Sequence, residues 1–140
     1  MPGLFLEDLS VGQSAELVRA VAEADLVAFA EVTGDTNPVH LDADYAATTS
    51  FGERIAHGML AGAFISAVLG AKLPGPGAIY LSQSLRFRRP VKIGDTVTAQ
   101  VAVTALDERR GHVTLATVCE VRGKPVVEGE ALVMVPRRPA

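Results

Sequence analysis

The run HGMLAGAFISAVLGAKL, residues 57–73, decides the fold of this chain. Between Met59 and Leu69 the only polar side chain is Ser66. A helix that is apolar on every face must be buried on every side, and the LPGPG that follows ends it. A bilayer span takes about 20 apolar residues, so this run is too short to cross one. We therefore predict a long central helix at about residues 57–72, enclosed within a folded domain.

The chain that follows this helix alternates apolar and polar residues, the pattern of β-strands with one covered face. The alternating stretches are 79–88, 96–105, 112–121 and 125–135, with 13–20 as a further edge strand. The side chains expected to face inward include Ile79, Leu81, Leu85, Phe87, Val97, Ala99, Val101 and Val103, with Gln83 as an exception to the alternation. Val-Arg-Gly-Lys at 121–124 suits a tight hairpin turn. These features predict an α+β fold class, in which an antiparallel sheet of about five strands wraps around the helix.

The residues before the central helix predict one further helix and a long loop. In EADLVAFAEVT, residues 23–33, apolar side chains recur at helical spacing. Gly34 suits the left-handed position that ends a helix. Residues 35–56 follow without a regular pattern. Loops of this length in compact domains are usually functional or disordered, and the Tyr, Phe and Ile within this one favour an ordered, packed loop.

Composition and charge limit the class of function. The 140 residues predict a single domain, 1–140, and a hydrophobic content of 49% is typical of a globular chain. A net charge of -3 argues against a general nucleic-acid binder. Cys119 is the only cysteine, which excludes an intrachain disulfide and favours a cytoplasmic setting. The N-terminal MPGLFLEDLSVG lacks the basic start of a signal peptide.

The burial of the central helix also bears on assembly. One sheet cannot cover a helix on every side, so loops or a second copy of the chain must cover the remaining face. The sequence therefore predicts a homodimer, and it gives no indication of a membrane partner.

The segment GDTNPVHLD, residues 34–42, carries the first candidate site. Pro38 disfavours the helical conformation at Asn37, so the chain must break between Asp35 and His40. Side chains that converge from a helix end and from the turn after it can hold a water molecule. The Asp can accept a proton from that water and the His can donate one. Ordinary turn chemistry is the alternative interpretation of the same residues.

The segment IAHGM, residues 55–59, places a second candidate at the start of the central helix. A helix N-terminus offers unpaired backbone N–H groups and a partial positive charge. Gly58 lets a ligand approach the backbone, and its N–H can stabilise negative charge on a carbonyl oxygen; helix packing alone is the alternative. His57 either caps the helix or packs beside it. With His40 and His112 it lacks the spacing of metal ligands, so no metal site is predicted.

GDTNPVHLDADYA followed by ERIAHGML resembles the hydratase signature of the MaoC-like family. The likeness continues through FISAVLGAKLPGPGAIYLSQSLRFRRPVKIGDTV and covers about residues 23–104. Within that family the chain closely resembles the short, single-domain (R)-specific enoyl-CoA hydratases that feed polyhydroxyalkanoate synthesis. The resemblance implies a hot-dog fold, in which a sheet wraps a long central helix.

The resemblance also implies a role for each matching residue. Asp35 and His40 match a catalytic pair that holds the water added across the C2=C3 bond of a trans-2-enoyl-CoA. Asp35 would act as the base, and His40 would deliver a proton to C2 from the same face. Gly58 matches the backbone donor to the thioester oxygen. Asn37 and Ser66 match residues that support the active site, with a turn role and a bond to the helix backbone as their respective alternatives.

The remaining implied residues concern the two ends of the substrate. Leu69 and Leu132 match positions that limit acyl-chain length in similar enzymes, and core packing is the alternative for both. The phosphates of CoA need cations. The candidates are Arg86, Arg88, Arg89 and Lys92, unless these form a solvated basic face. CoA enters only as part of the thioester substrate, so no separate cofactor is expected.

The leading interpretation is therefore an (R)-specific enoyl-CoA hydratase. One rival is a (3R)-hydroxyacyl-acyl carrier protein dehydratase of the same fold, because an acidic carrier would also favour an arginine cluster. A thioesterase of this fold uses other carboxylate placements and does not need the Asp and His pair. A non-catalytic acyl-CoA-binding subunit is the rival from a different class, and the presence of Asp35 and His40 argues against it.

Overall fold

The computed structural model describes residues 3–140, so the first two residues of the predicted 1–140 domain lie outside the described part. The helices are α1 (Glu23–Thr33), α2 (Pro38–Leu41), α3 (Ala43–Ala47) and α4 (Gly58–Ala71). The strands are β1 (Ser14–Ala20), β2 (Ile79–Gln83), β3 (Arg86–Phe87), β4 (Thr96–Asp107), β5 (His112–Val121) and β6 (Lys124–Met134). Among the described residues, no helix combines the length and the hydrophobicity that a membrane crossing requires.

Helix α4 is the predicted central helix, and its bounds fall within one residue of those expected. Its buried side chains are Leu60, Ala61, Phe64, Ile65, Val68 and Leu69. A stripe on its other side stays exposed and consists of Met59, Ala63, Ser66, Ala67 and Gly70. Met59 is 54% exposed. The sheet of the single chain therefore covers one side of the helix and leaves the other side exposed, as expected for a helix that one sheet cannot enclose.

The antiparallel sheet holds its strands in the order β1-β4-β5-β6-β2, and β3 also pairs with β6. The edge strand predicted at 13–20 is confirmed as β1, which pairs with β4. The predicted inward residues of β4 are all buried, namely Val97, Ala99, Val101 and Val103. Positive φ angles at Arg122 and Gly123 form the predicted tight turn between β5 and β6. With this sheet packed around α4, the α+β hot-dog fold is confirmed.

The sheet has six strands because the single stretch predicted at 79–88 divides into β2 and β3. A β-bulge lies between Tyr80 and Ser82. Ile79 pairs with Met134 on the outer side of the sheet and is 53% exposed. Leu81, within the bulge, is exposed as well. The inward orientation predicted for these two apolar residues is therefore wrong, because one extra residue reverses the alternation.

Gln83, the exception in the predicted alternation, faces the interior after the bulge. Its side-chain nitrogen donates to the hydroxyl of buried Thr117 on β5 at 2.9 Å and to the Ser84 carbonyl at 2.8 Å. Its side-chain oxygen accepts the Tyr80 hydroxyl. Partial burial raises the pKa of Tyr80, so the phenol keeps the hydrogen that it donates. Gln83 thus ties the bulge to the middle of the sheet.

The chain crosses over β6 where β2 gives way to β3. The Ser84 N–H donates to the Glu130 carbonyl at 2.9 Å, and the Ser84 hydroxyl accepts the Glu130 N–H at 3.0 Å. Gly129 lies directly beneath the crossing, where a Cβ would overlap the backbone carbonyl of Ser84. Beyond the crossing Leu85 packs on the core as predicted. A Cβ at Gly62 would lie 3.0 Å from its Cδ1, so Gly62 permits close packing of α4.

Helix α1 has the predicted bounds, and Gly34 ends it at a φ of 81°. The loop predicted at 35–56 is ordered, but its irregularity was overestimated because it contains α2 and α3. Each begins at a polar cap. Asn37 Oδ1 accepts a backbone N–H of α2 at 3.2 Å, and Asp42 Oδ1 accepts one of α3 at 3.0 Å. Helices of four and five residues are too short for a periodic signal in the sequence.

Cys119 lies in the core between β5 and α4. Its thiol contacts the Ala61 carbonyl at 3.3 Å, and burial raises the pKa of the Cys119 thiol to about 12. The thiol is therefore protonated at neutral pH, and it serves as a core side chain rather than as a nucleophile.

Candidate active site

Asp35 follows directly on the end of α1, where local hydrogen bonds fix its backbone. Its N–H donates to the Thr33 hydroxyl oxygen at 3.1 Å, and the same hydroxyl donates to the Phe29 carbonyl at 2.7 Å. Its carboxylate accepts the Asn37 N–H at 3.3 Å. Asp35 is exposed. The carboxylate is thus held in place yet accessible to a substrate.

His40 lies on α2 and is buried. Its Nδ1 is 2.7 Å from the Ile55 carbonyl oxygen. A carbonyl only accepts hydrogen bonds, so Nδ1 carries the hydrogen and Nε2 is left to act in the site. Arg54 holds the backbone of His40, because its Nε donates to the His40 carbonyl at 2.8 Å. Its Nη1 pairs with Glu23 of α1 at 2.8 Å.

His57 stands at the N-cap position of α4, but its side chain makes no capping hydrogen bond there. Its Nε2 is 3.0 Å from the Asp35 carbonyl oxygen. The ring stacks on His40, with centroids 3.8 Å apart and planes at 26°. On α1, Phe29 is a further neighbour, with centroids 4.7 Å apart. The capping role that the sequence left open is therefore wrong, and His57 instead contacts both members of the predicted pair.

Asp35, His40 and His57 each place one potential ligand atom within 4.8 Å of the others. Spacing along the sequence did not predict this convergence of the two histidines. In each histidine one ring nitrogen already bonds to a backbone carbonyl, that of Ile55 for His40 and that of Asp35 for His57. The Asp35 carboxylate and His40 are close enough to hold one water molecule between them.

Gly58 is the first residue of α4, where backbone N–H groups lack acceptors within the helix. A cavity of about 310 Å³ borders Gly58 and His40. A second cavity, of about 510 Å³, borders Gly58 and Asp35. The predicted catalytic pair therefore opens on two cavities that meet at the N-terminus of α4.

Phe87 lines both of these cavities. Its ring lies against Gly58, where an added Cβ would come within 2.9 Å of the ring. Phe87 is 53% exposed and is held in β3 by pairing with Val127. Gly58 is therefore required for close packing as well as available to a ligand. The sequence predicted an inward Phe87 but gave it no place in the site.

The two residues predicted for the acyl pocket, and Ser66, which was predicted to support the active site, lie apart from these cavities. Ser66 belongs to the exposed stripe of α4, Leu69 is buried in the core, and Leu132 is half-buried on β6. Within residues 3–140, none of the three lines either cavity. Asn37, in contrast, bonds to the Asp35 carboxylate and caps the helix that carries His40.

The four predicted cations lie around β3 and the segment after it, and three have partners. Arg88 Nε donates to Glu128 at 2.6 Å, and Lys92 pairs with Glu53 at 3.4 Å. Arg89 donates to a backbone carbonyl at 2.7 Å. Arg88 and Arg89 border the cavity that contains His40, whereas Arg86 does not. Two of the four are thus positioned at the site, and the acids at 53 and 128 offset part of the positive charge.

The sequence missed three residues at the site. Arg54 lies within the quoted ERIAHGML but carried no predicted role, His57 was given only a capping or packing role, and Phe87 was assigned only to the core. Each acts through contacts with residues distant in sequence, such as Arg54 with Glu23 and Phe87 with Gly58. Local spacing gives no signal for contacts of that kind.

Comparisons with known proteins agree with the sequence resemblance. Residues 9–124 match the family described as MaoC like domain. The (R)-specific enoyl-CoA hydratase of Rhodospirillum rubrum is 58% identical over 134 residues, which cover 96% of this chain and 93% of that protein.

Solved structures give the same result. The R-hydratase from Pseudomonas aeruginosa in the unliganded form has a TM-score of 0.93 at 52% identity, covering 97% of this chain and 88% of that one. The (R)-hydratase from Aeromonas caviae involved in PHA biosynthesis has a TM-score of 0.90 at 48% identity, covering 93% of this chain and 99% of that one.

Proposed function

Because this chain belongs to the MaoC-like domain family, we propose that Asp35, His40 and Gly58 carry out the reaction for which its relatives are named. The chain is an (R)-specific enoyl-CoA hydratase. It adds water reversibly to a trans-2-enoyl-CoA and gives an (R)-3-hydroxyacyl-CoA. The observation that supports these residue assignments is the convergence of the Asp35 carboxylate and the His40 ring within 4.8 Å, beside the N-terminus of α4.

Asp35 and His40 divide the two proton transfers between them. In hydration, Asp35 takes a proton from the water as the water oxygen bonds to C3. His40, protonated at Nε2, gives a proton to C2. The proton on Asp35 then returns to His40 through solvent, so that one H and one OH are added and both groups are restored. Because both groups act from one side of the double bond, the addition is syn.

Gly58 stabilises the charge that develops on the substrate. As C3 is attacked, negative charge moves to the thioester oxygen. A backbone N–H at the first turn of a helix is already oriented, and the helix dipole adds partial positive charge there. The cavities on both sides of Gly58 give the thioester access to this N–H.

The residues around the site suggest where the CoA end and the acyl end of the substrate bind. Arg88 and Arg89 border the cavity of His40 and are the cations best placed for the CoA phosphates. Arg86 and Lys92 border neither of the two cavities and stay as further candidates. Leu69 and Leu132 keep their proposed role in limiting acyl length, which requires a slot beyond the two cavities of the single chain.

The test of the activity is hydration of crotonyl-CoA by the purified protein. Absorbance of the enoyl thioester should fall, and an (R)-specific 3-hydroxyacyl-CoA dehydrogenase should oxidise the product while an (S)-specific one does not. The same crotonyl group on acyl carrier protein is the matched comparison, and we expect it to react more slowly. Turnover of the carrier thioester alone would favour the dehydratase. Binding of enoyl-CoA of several chain lengths with no turnover would favour a non-catalytic subunit.

A homodimer is part of the same proposal. The exposed stripe of α4 is apolar apart from Ser66 and is built mainly of small residues, which allow close approach of another helix. Met59 belongs both to this stripe and to the border of the cavity that contains Asp35. A second copy seated on the stripe would therefore extend the walls of the active site. A cytoplasmic location, favoured by the single unpaired cysteine, also belongs to the proposal and is tested by cell fractionation.

Replacing Ala67 with Glu should convert the dimer to a monomer, because it buries an unpaired charge in the contact. Light scattering coupled to size exclusion measures the change. Val32→Glu is the matched control, since Val32 lies on helix α1 and is 85% exposed. A wild-type protein with the mass of a monomer would contradict the dimer. An Ala67→Glu protein that keeps the mass of a dimer would show that the contact between the two copies lies elsewhere.

A further inference from the structure

The tautomer of His57 follows from its one hydrogen bond. Nε2 faces the Asp35 carbonyl oxygen at 3.0 Å, and a carbonyl only accepts. Nε2 therefore carries the hydrogen, and Nδ1 of the neutral ring is a bare acceptor. His57 is only 3% exposed, and within the described residues its Nδ1 has no hydrogen-bond partner.

His40 holds the opposite tautomer directly beside it. Its hydrogen is on Nδ1, which donates to the Ile55 carbonyl at 2.7 Å, and its Nε2 is free for the reaction. The two rings stack with centroids 3.8 Å apart. The two imidazoles thus use different nitrogens as donors.

Both members of the proposed catalytic pair lie next to His57. His40 on α2 and Asp35 after α1 are the titratable groups that face its ring, and Phe29 of α1 packs nearby. The hydrogen bond of His57 to Asp35 is to the backbone carbonyl. The Asp35 carboxylate, which also lies within 4.8 Å of a His57 ring nitrogen, is therefore not occupied by that hydrogen bond.

A buried acceptor without a partner is rare in folded proteins and costs stability. A residue that contains such an unpaired acceptor is therefore expected to contribute through its other contacts. At position 57 the ring does two things at once, because it donates to the backbone of Asp35 and supports the face of His40. A phenylalanine provides only the ring face, and a glutamine provides only the donor.

We propose that His57 is a positioning residue: its Nε2–H donates to the Asp35 backbone while its ring supports the face of His40. Together these two contacts set the distance between Asp35 and His40. This inference rests on the roles proposed for Asp35 and His40. It adds a residue that does not touch the substrate and acts only through those two.

The direct test is long-range ¹H–¹⁵N correlation of the histidine rings in ¹⁵N-labelled protein. The chain has three His residues, and His57→Gln and His112→Gln variants assign their signals. For the neutral rings we expect His57 to carry its hydrogen on Nε2 and His40 to carry its hydrogen on Nδ1. A neutral His57 that carries its hydrogen on Nδ1 would overturn the proposal.

Kinetics provide the second test. His57→Phe and His57→Gln should each lower kcat by about 10- to 100-fold, as expected for partners that orient a reacting group, and leave KM nearly unchanged. His112→Gln is the control, on β5 outside the site, and should leave both constants as in the wild type. Because residues that act as a unit are not additive, the same changes in an Asp35→Asn background should cost about twofold or less.

The outcomes separate positioning from a purely structural role. An equal loss in the wild-type and Asp35→Asn backgrounds, or a loss that follows the thermal stability of each variant, would overturn the positioning role. The ring signals are recorded on the wild-type protein without substrate, so they report on His57 even if no turnover occurs. Full activity of Asp35→Asn with the expected His57 signals would count against the proposed catalytic pair instead.

Discussion

Replacing Asp35 with Asn lowers kcat for crotonyl-CoA hydration by about 10²- to 10⁴-fold, the contribution of a positioned acid or base. KM stays close to the wild-type value, because Asn has nearly the same shape. Its side-chain oxygen can still accept the Asn37 N–H, which lies 3.3 Å from the present carboxylate. The change removes the ability to take a proton from water. Initial rates from the loss of enoyl absorbance measure the effect.

Asp44→Asn is the matched control, because Asp44 is an exposed acid on α3 outside the two cavities. Its rates should stay within about twofold of the wild type, as expected for a surface change. Thermal melting of both variants shows whether the fold is intact. A kcat for Asp35→Asn equal to that of the wild type would remove Asp35 from the chemistry. It would leave His40 as the sole candidate for proton transfer.

Replacing Gly129 with Ala destabilises the fold by about 3 kcal/mol, the upper part of the usual range for overpacking. The added Cβ would overlap the Ser84 carbonyl. A backbone carbonyl cannot rotate away as a side chain can. To relieve the overlap, the crossing from β2 to β3 must lift from β6 and lose the hydrogen bonds between Ser84 and Glu130. Urea unfolding followed by circular dichroism measures the change in the free energy of unfolding.

Glu130→Ala provides the control for this substitution. It introduces the same residue at the neighbouring exposed position and keeps the backbone hydrogen bonds to Ser84. We expect it to change the free energy of unfolding by less than about 0.5 kcal/mol. Equal unfolding midpoints for Gly129→Ala and the wild type would mean that the crossing can move away from β6 at little cost. Activity of the folded Gly129→Ala protein should also fall, because the crossing leads into Phe87.

The part of the fold that sequence predicts rests on long periodic runs. Helix α1 and strand β5 have the expected bounds, 23–33 and 112–121, because each repeats its pattern over ten residues or more. The inward residues of β2 were assigned wrongly because a bulge shifts the alternation by one residue. That bulge depends on Gln83 reaching Thr117 on another strand, a contact that no local pattern contains.

The residues of the candidate site also fall into those that the sequence predicts and those that it does not. Asp35, His40 and Gly58 stand within short motifs whose chemistry can be interpreted directly. His57 lies in one of those motifs, yet its importance appears only when its ring is found stacked on His40 and bonded to the Asp35 backbone. Arg54 is similar, because its bond to the His40 carbonyl joins residues on either side of α3. The contacts of His57 and Arg54 depend on how the chain folds between the motifs, which the motifs themselves do not specify.

The proposed reacting groups and the residues that orient them lie mostly in one uninterrupted segment, from Phe29 to Gly58, and the sheet supplies only surrounding walls such as Phe87. Exchange of sheet strands between related genes would therefore leave the proposed reacting groups in place while it changes the walls around the substrate. Mutations that broaden substrate range should accumulate in β2, β3 and β6, and those that abolish hydration should cluster in the 30 codons that encode this segment.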